Sequence, residues 1–144
     1  MKVFVSGTYD ILHAGHIQFF KEAKALGDYL VVSFCSSKNL ELYKNRTSCI
    51  PDDNKKILLE SIRYIDRAVI GNDDGGIWDF IPAFLVEKPD ILVTTTDDKY
   101  SDEKRKFCKK YKTKFIILSK TLPIATPTST SEIIKKILEK RTVL

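Results

Sequence analysis

The sequence predicts an α/β protein: a parallel five-stranded sheet, doubly wound, with helices on both faces. Three observations carry that expectation. Segments rich in β-formers alternate with helix-periodic segments along the whole chain. The stretch from Asp28 to Cys35 is apolar on successive positions, as a strand covered on both faces requires. With 144 residues, 43% hydrophobic and 30% charged, the chain has the size and balance of one domain, taken as residues 1–144.

The elements follow in order. Lys2 to Ser6 reads as the first strand, and Ala14 to Leu26 as a helix closed by Gly27. Asp28 to Cys35 is the second strand, followed by a polar loop from Ser36 to Ile50. Pro51 opens the next helix at its first position, with Asp52 and Asp53 in a favourable acidic first turn. That helix is expected to turn Ile57, Leu58, Ile62 and Ile65 inward. Arg67 to Ile70 is a short third strand ended by Gly71. A turn-rich stretch from Gly71 to Gly76 precedes a helix from Ile77 to Val86, kinked by Pro82. Asp90 to Thr96 is the fourth strand, and Ser101 to Tyr111 a helix capped by Ser101. Lys114 to Ser119 is the fifth strand, Thr121 to Thr128 a loop, and Ser129 to Lys140 the last helix. Right-handed βα units in this order make a Rossmann-like domain.

Composition narrows the function classes. No apolar run approaches the roughly 20 residues needed to span a bilayer. The opening Met1–Ser6 segment is too quickly polar for a secretory signal. Cys35, Cys49 and Cys108 are scattered and odd in number, unlike a disulfide framework or a zinc site, so a cytoplasmic protein is expected. The net charge of +5 invites a nucleic-acid reading. Much of that charge, however, falls at Lys104–Lys114 and Lys135–Arg141, which read as solvated helix faces. The expected partner is therefore a small molecule, with no nucleic acid and no membrane.

In sheets of this kind ligands bind beyond the carboxyl ends of the strands, where the strand order reverses. That rule selects the loops at residues 7–16, 36–50, 71–76 and 119–131. The first contains Gly7, Thr8, Tyr9, Asp10, His13, Gly15 and His16. Its two histidines are the only ones in the chain and sit three positions apart at a helix start, so both can face one ligand. The helix terminus adds free N–H groups that favour phosphate. Thr128 to Glu132 opens the last helix, with Ser129 and Glu132 spaced as a capping box and hydroxyls that can also cradle phosphate.

Together these segments resemble the HxGH nucleotidyltransferase superfamily, in its cytidylyltransferase-like branch. That branch includes glycerol-3-phosphate cytidylyltransferases, heptose-phosphate adenylyltransferases and archaeal FAD synthases. The resemblance runs from about residue 2 to residue 138 and implies the following roles. His13 and His16 act on the α-phosphate, and Lys44 (or Arg46, two positions on) neutralises the triphosphate from a mobile loop. Gly7, Thr8, Tyr9, Gly15 and Lys120 line the nucleotide, and Ser129, Thr130 and Ser131 hold the leaving pyrophosphate. Mg²⁺ accompanies the triphosphate, with Asp10 a candidate carboxylate for it, although capping the first helix is its expected task. The segment from Ile62 to Val69 resembles one that serves a homodimer contact in the family; Arg63 and Asp66 are candidates for a structural pair there.

The resemblance fades where substrate should be read. Asp73 and Asp74 stand where a glycerol-3-phosphate enzyme has an acceptor-binding lysine. Asp97 and Asp98 follow a run of threonines in place of a Gly-x-Asp-Trp-like pattern, and Lys120 with Thr121 replaces an Arg-Thr pair. The reaction expected is CMP transfer from CTP to a polyol or sugar phosphate, releasing pyrophosphate. The alternative is AMP transfer from ATP to a heptose phosphate or FMN. A non-catalytic nucleotide-binding regulatory module is the reading of another class; its mark would be a broken HxGH or phosphate motif, and neither is broken.

Overall fold

A computed structural model describes residues 1–141. Its sheet comprises β1 (Lys2–Gly7), β2 (Tyr29–Phe34), β3 (Arg67–Ile70), β4 (Ile91–Thr95) and β5 (Lys114–Leu118). The strands lie in the order β3-β2-β1-β4-β5, and every neighbouring pair is parallel. The order reverses between β1 and β4, so the crevice expected to take a ligand opens above the carboxyl ends of these two strands. Ser6 pairs with Ser33 and Gly7 with Phe34 at that rim.

Strand alternation divides the core into two layers. On one face Val3, Val5, Leu30, Val32 and Val93 pack with Phe20 and Ala23 of α1 (Ala14–Lys24) and Leu59 of α3 (Asp52–Glu60). On the other, Phe4, Val31 and Leu92 meet Phe80, Phe84 of α4 (Ile81–Glu87) and Cys108 of α5 (Ser101–Lys110). Phe84 sits edge-on to Phe4 at 5.7 Å and to Phe107 at 4.9 Å, the tilted geometry aromatic quadrupoles favour. Helix α6 (Thr130–Arg141) follows β5, and its Thr130 hydroxyl donates to the Ile11 carbonyl at 3.1 Å. No helix among the described residues is long and apolar enough to cross a membrane.

Several local expectations are corrected. The segment from Ser36 to Ile50 is not all loop: Ser37–Lys44 forms α2, capped by the Ser36 hydroxyl accepting from Asn39 N–H at 3.0 Å. Only Leu40 and Asn39 of this short helix are buried, so its sequence carries no apolar stripe to announce it. In α3 the inward stripe is Lys55, Leu59 and, just past its end, Ile62; Ile57 and Leu58 are exposed at 65% and 49%. The expected register is wrong because a lysine occupies a core position. Ile65 is buried as expected, but after the helix has ended. Pro51 is the cap residue rather than the first helical one. The helix expected at 77–86 divides into a 3₁₀ turn at Gly76–Trp78 and α4, where Pro82 lies in the first turn and causes no kink. Tyr100 rather than Ser101 occupies the cap of α5, the Ser101 hydroxyl donating instead to Asp98 O at 2.8 Å. Arg63 does not pair with Asp66, whose carboxylate takes Lys24 Nζ and the Leu30 N–H.

Candidate functional site

The loop from β1 to α1 builds the centre of the site. Tyr9 holds a left-handed backbone, φ 48°, and its ring is buried against Phe20 at 5.0 Å and edge-on to His16 at 5.6 Å. A non-glycine residue in that region is strained, and packing of the phenol into the core is what over-determines it. The turn delivers His13 to the cap of α1, where Nδ1 accepts from Gly15 N–H at 3.1 Å. His16 answers from the third helical position, its Nδ1 accepting from His13 N–H at 3.2 Å. Two histidines thus make the reciprocal cap that Ser and Glu usually make.

This pattern has a chemical consequence. With each Nδ1 accepting a backbone N–H, the proton of each neutral ring is assigned to Nε2. The rings lie 4.0 Å apart, both lining one cavity. Burial, then the charge of Lys120, pulls the His13 imidazole below its ordinary range. Burial, then His13 and Lys120, pulls His16 down to about 4. Both are therefore neutral N–H donors at neutral pH on the wall of the first cavity. Gly15 is required by the same geometry: a Cβ there would stand 2.8 Å from Cε1 of His13.

The pair lines one cavity, and a second adjoins it. The first, about 320 Å³, runs between α1, the ends of β4 and β5 and the loop before α6, and includes Tyr9, Gly15, Val93, Lys120, Leu122 and Ser129. The second, about 380 Å³, includes Gly7, Thr8, Cys35, Lys44, Asp79 and Tyr100. Both volumes fall in the range of small-molecule sites. Ser6 and Asp97 line both, so the cavities meet over the end of β1.

Of the expected site residues, the structure brings His13, His16, Tyr9, Gly15, Lys120 and Ser129 to the first cavity and Gly7, Thr8 and Lys44 to the second. Lys44 ends α2 rather than riding a loop, its Nζ donating to Thr8 Oγ1 at 3.2 Å. Arg46 lines neither cavity and has its Nε buried without a partner. Ser129 caps α6, accepting from Glu132 N–H at 3.2 Å, but the Glu132 carboxylate takes the Thr128 hydroxyl instead of closing the box. Thr130 is tied to Ile11 and Ser131 is exposed; neither lines a cavity.

Asp10 does not cap α1. Its carboxylate accepts from Ser48 Oγ at 2.7 Å and from the N–H groups of Cys49 and Ile50 at 2.9 and 3.1 Å. Burial pulls this carboxyl up, but those bonds and Lys55 outweigh it and hold it below its ordinary range. With its oxygens so engaged, Asp10 is poorly placed to hold a metal. Asp73 and Asp74 are exposed and line neither cavity. Asp97 accepts from the Thr95 hydroxyl, and Asp98 is fixed by Thr94 Oγ1 and Lys104 Nζ, each at 2.6 Å.

Sequence reasoning missed Asp79. It lies at the second cavity beside Cys35 and Asn39, and burial pushes its carboxyl up to about 6 against their hydrogen bonds and the Lys104 charge. Gly71 makes room for it, since a Cβ there would meet Asp79 Oδ2 at 2.5 Å. A single acid inside the apolar run from Ile77 to Val86 was the available signal. Tyr43 and Tyr100 also line this cavity; burial and then the neighbouring Tyr100 hydroxyl push the Tyr43 phenol up.

The model of the cytidylyltransferase-like family matches residues 4–136. The chain is 35% identical over 98 residues to the FAD synthase of Archaeoglobus fulgidus, covering 68% of this chain and 67% of that one. It is 33% identical over 102 residues to the FAD synthase of Ferroglobus placidus (71% and 63%). To that of Thermococcus kodakarensis it is 37% identical over 108 residues (74% and 69%). The matches thus span about two thirds of those relatives. Among solved structures, a lipopolysaccharide core biosynthesis protein from Thermoplasma volcanium superposes with TM-score 0.74 at 28% identity, over 85% of this chain and 98% of that one. Pantoate-beta-alanine ligase from Francisella tularensis shares the fold, with TM-score 0.59 at 19% identity, over 96% and 70%.

Proposed function

The chain belongs to the cytidylyltransferase-like family and is a nucleotidyltransferase, and from that premise we propose that it transfers AMP from ATP to FMN, releasing pyrophosphate. One observation carries the reading of the site. Two neutral imidazoles, each with its proton on Nε2, line the first of two adjoining small-molecule cavities. Such donors suit charge developing on an α-phosphate gripped between two substrates. ATP replaces CTP as the expected donor because the relatives at 33–37% identity are FAD synthases, whose product joins an adenylate to FMN.

In this reading the first cavity holds the nucleotide and the second the acceptor. A phosphate oxygen of FMN attacks the α-phosphorus as the bond to the β-phosphate oxygen breaks. The acceptor phosphate is already anionic, so no general base is needed. His13 and His16 donate to the α-phosphate oxygens, and neither passes a proton on. Lys44, held by Thr8 at the second cavity, is the cation offered to the triphosphate charge. The α6 terminus and Ser129 receive the leaving pyrophosphate. Tyr43 and Tyr100 offer aromatic surface to a flat acceptor ring, and Asp79 a hydrogen-bond acceptor to its polar edge.

Mg²⁺ fits this site as a passenger of the triphosphate. No group of three potential metal ligands gathers among the described residues, so phosphate oxygens and water would hold it, with Asp97 the carboxylate common to both cavities. Bound there, it would neutralise triphosphate charge. A homodimer remains part of the reading: Ile57 and Leu58 are exposed on α3, near Arg63.

Thermal-shift titrations with ATP, CTP, GTP and UTP, each with Mg²⁺, test the donor. A ligand at a hundred times its Kd adds about 2.7 kcal/mol of stability, so the true donor stands out. A shift with ATP is expected. A larger one with CTP would restore cytidylyl transfer.

A further inference from the structure

Lys55 is buried to 1% exposure, and the reaction outlined above does not use it. Lysine is almost never fully buried unless paired. Its Nζ lies 3.3 Å from the Cys35 carbonyl at the end of β2, 3.3 Å from Asp52 Oδ1 and 3.8 Å from Asp10 Oδ1. Each partner fastens a different segment. Asp10 belongs to the histidine loop and grips Ser48, Cys49 and Ile50. Asp52 Oδ1 takes both the N–H and the hydroxyl of Ser37, the first residue of α2, at 2.9 and 2.8 Å. Helix α2 is also tied to the 3₁₀ turn, where Asn39 and Gly76 exchange bonds of 3.0 and 2.9 Å. Lys44 is the last residue of α2, about 11 Å of rigid helix from the Ser37 anchor. The single ammonium of Lys55 thus compensates the two carboxylates that fix α2 and the segment after it against the histidine loop.

We propose that Lys55 is a positioning residue for nucleotidyl transfer, acting through Lys44: its ion pairs with Asp10 and Asp52 hold α2 so that the Lys44 ammonium stays beside Thr8 at the second cavity. This rests on the reading that Lys44 faces the triphosphate. The geometry argues against a mobile lid, because the segment carrying Lys44 is helical and anchored at its base and again at residues 48–50.

The test is a double-mutant cycle on the full chain: wild type, Lys55→Met, Lys44→Ala and the double variant, reading kcat, KM for ATP and Tm. Residues that act as a unit give non-additive losses, whereas a general loss of stability multiplies with any other defect. Lys55→Met is expected to lower kcat/KM about tenfold or more in the wild-type background and less than about twofold in Lys44→Ala, with the same fall in Tm in both. Equal fold losses in the two backgrounds would overturn the inference alone. Lys44→Ala at the wild-type rate would overturn the reading of Lys44 and this inference with it. Should Lys55→Met fail to fold, Asp52→Asn replaces it, since Asp52 is one-third exposed and its loss is milder. A loss of about threefold that vanishes in Lys44→Ala is then expected, and its absence overturns the proposal.

Discussion

Gly15→Ala should produce an enzyme that folds as well as the wild type and barely turns over. The new Cβ would stand 2.8 Å from Cε1 and 2.9 Å from Nδ1 of His13. Neither distance is tolerable, so the imidazole must swing away and its 3.1 Å bond from Gly15 N–H breaks. Stability changes in two opposing directions. Alanine in place of glycine in a helix gains about 0.5–1 kcal/mol. Losing the side-chain cap costs about 0.5–2 kcal/mol. The net lies between a gain of about 0.5 and a loss of about 1.5 kcal/mol, or a few degrees in Tm for a chain of this length. Catalysis has no such offset. Displacing one preorganised donor costs about 10²–10³ in kcat, and a 1 Å misplacement alone can cost about 10². Initial rates of pyrophosphate release beside a calorimetric Tm decide the matter. A kcat within about threefold of wild type would refute the argument, by showing either that His13 is not a donor or that its position is loosely set.

Other predictions follow from the same geometry. His16→Ala should lower kcat by about a hundredfold or more with modest change in nucleotide Kd, measured by steady-state rates and calorimetric titration. The folded His16 has its affinity for protons pushed below the ordinary 6.5, to about 4. The unfolded chain therefore binds this proton more readily, so the His16 contribution to stability is complete above pH 6.5 and lost as pH falls toward 4; a series of Tm values should show it, and His16→Gln should remove it. Asp79 is held near 6, so KM for the acceptor should rise as pH falls through that value while nucleotide Kd stays flat, and Asp79→Asn should abolish that dependence. Leu59→Ala removes a fully buried side chain between α3 and the sheet and should cost about 2–5 kcal/mol in denaturant unfolding, leaving kcat nearly unchanged.

The sheet and its helices are legible because parallel strands covered on both faces read as near-continuous apolar runs, as Tyr29 to Cys35 does, and because strand-like and helix-like segments alternate along the chain. The histidine loop was legible because its residue types and spacing are rare together. What escaped depended on tertiary context. Helix α2 has no apolar stripe; it is held by Ser36, Asn39 and the Asp52 carboxylate, partners distant in sequence or polar in kind. The α3 register failed at Lys55, whose burial is explained only by two carboxylates brought to it by other segments. Asp10 read as a cap because it precedes a helix, yet its bonds cross 38–40 positions of chain. Asp79 stayed hidden inside a run that reads as core, while the conspicuous Asp73 and Asp74 turned out to face solvent.

The central claim is adenylate transfer to a flavin phosphate, and product formation tests it most directly. FMN and Mg²⁺ are incubated with the protein and either ATP or CTP, and the products are separated by chromatography while pyrophosphate is counted. FAD and pyrophosphate are expected in equal amounts from ATP, with little consumption of CTP. CTP consumed at the greater rate, or ATP left intact in the presence of FMN, would contradict it.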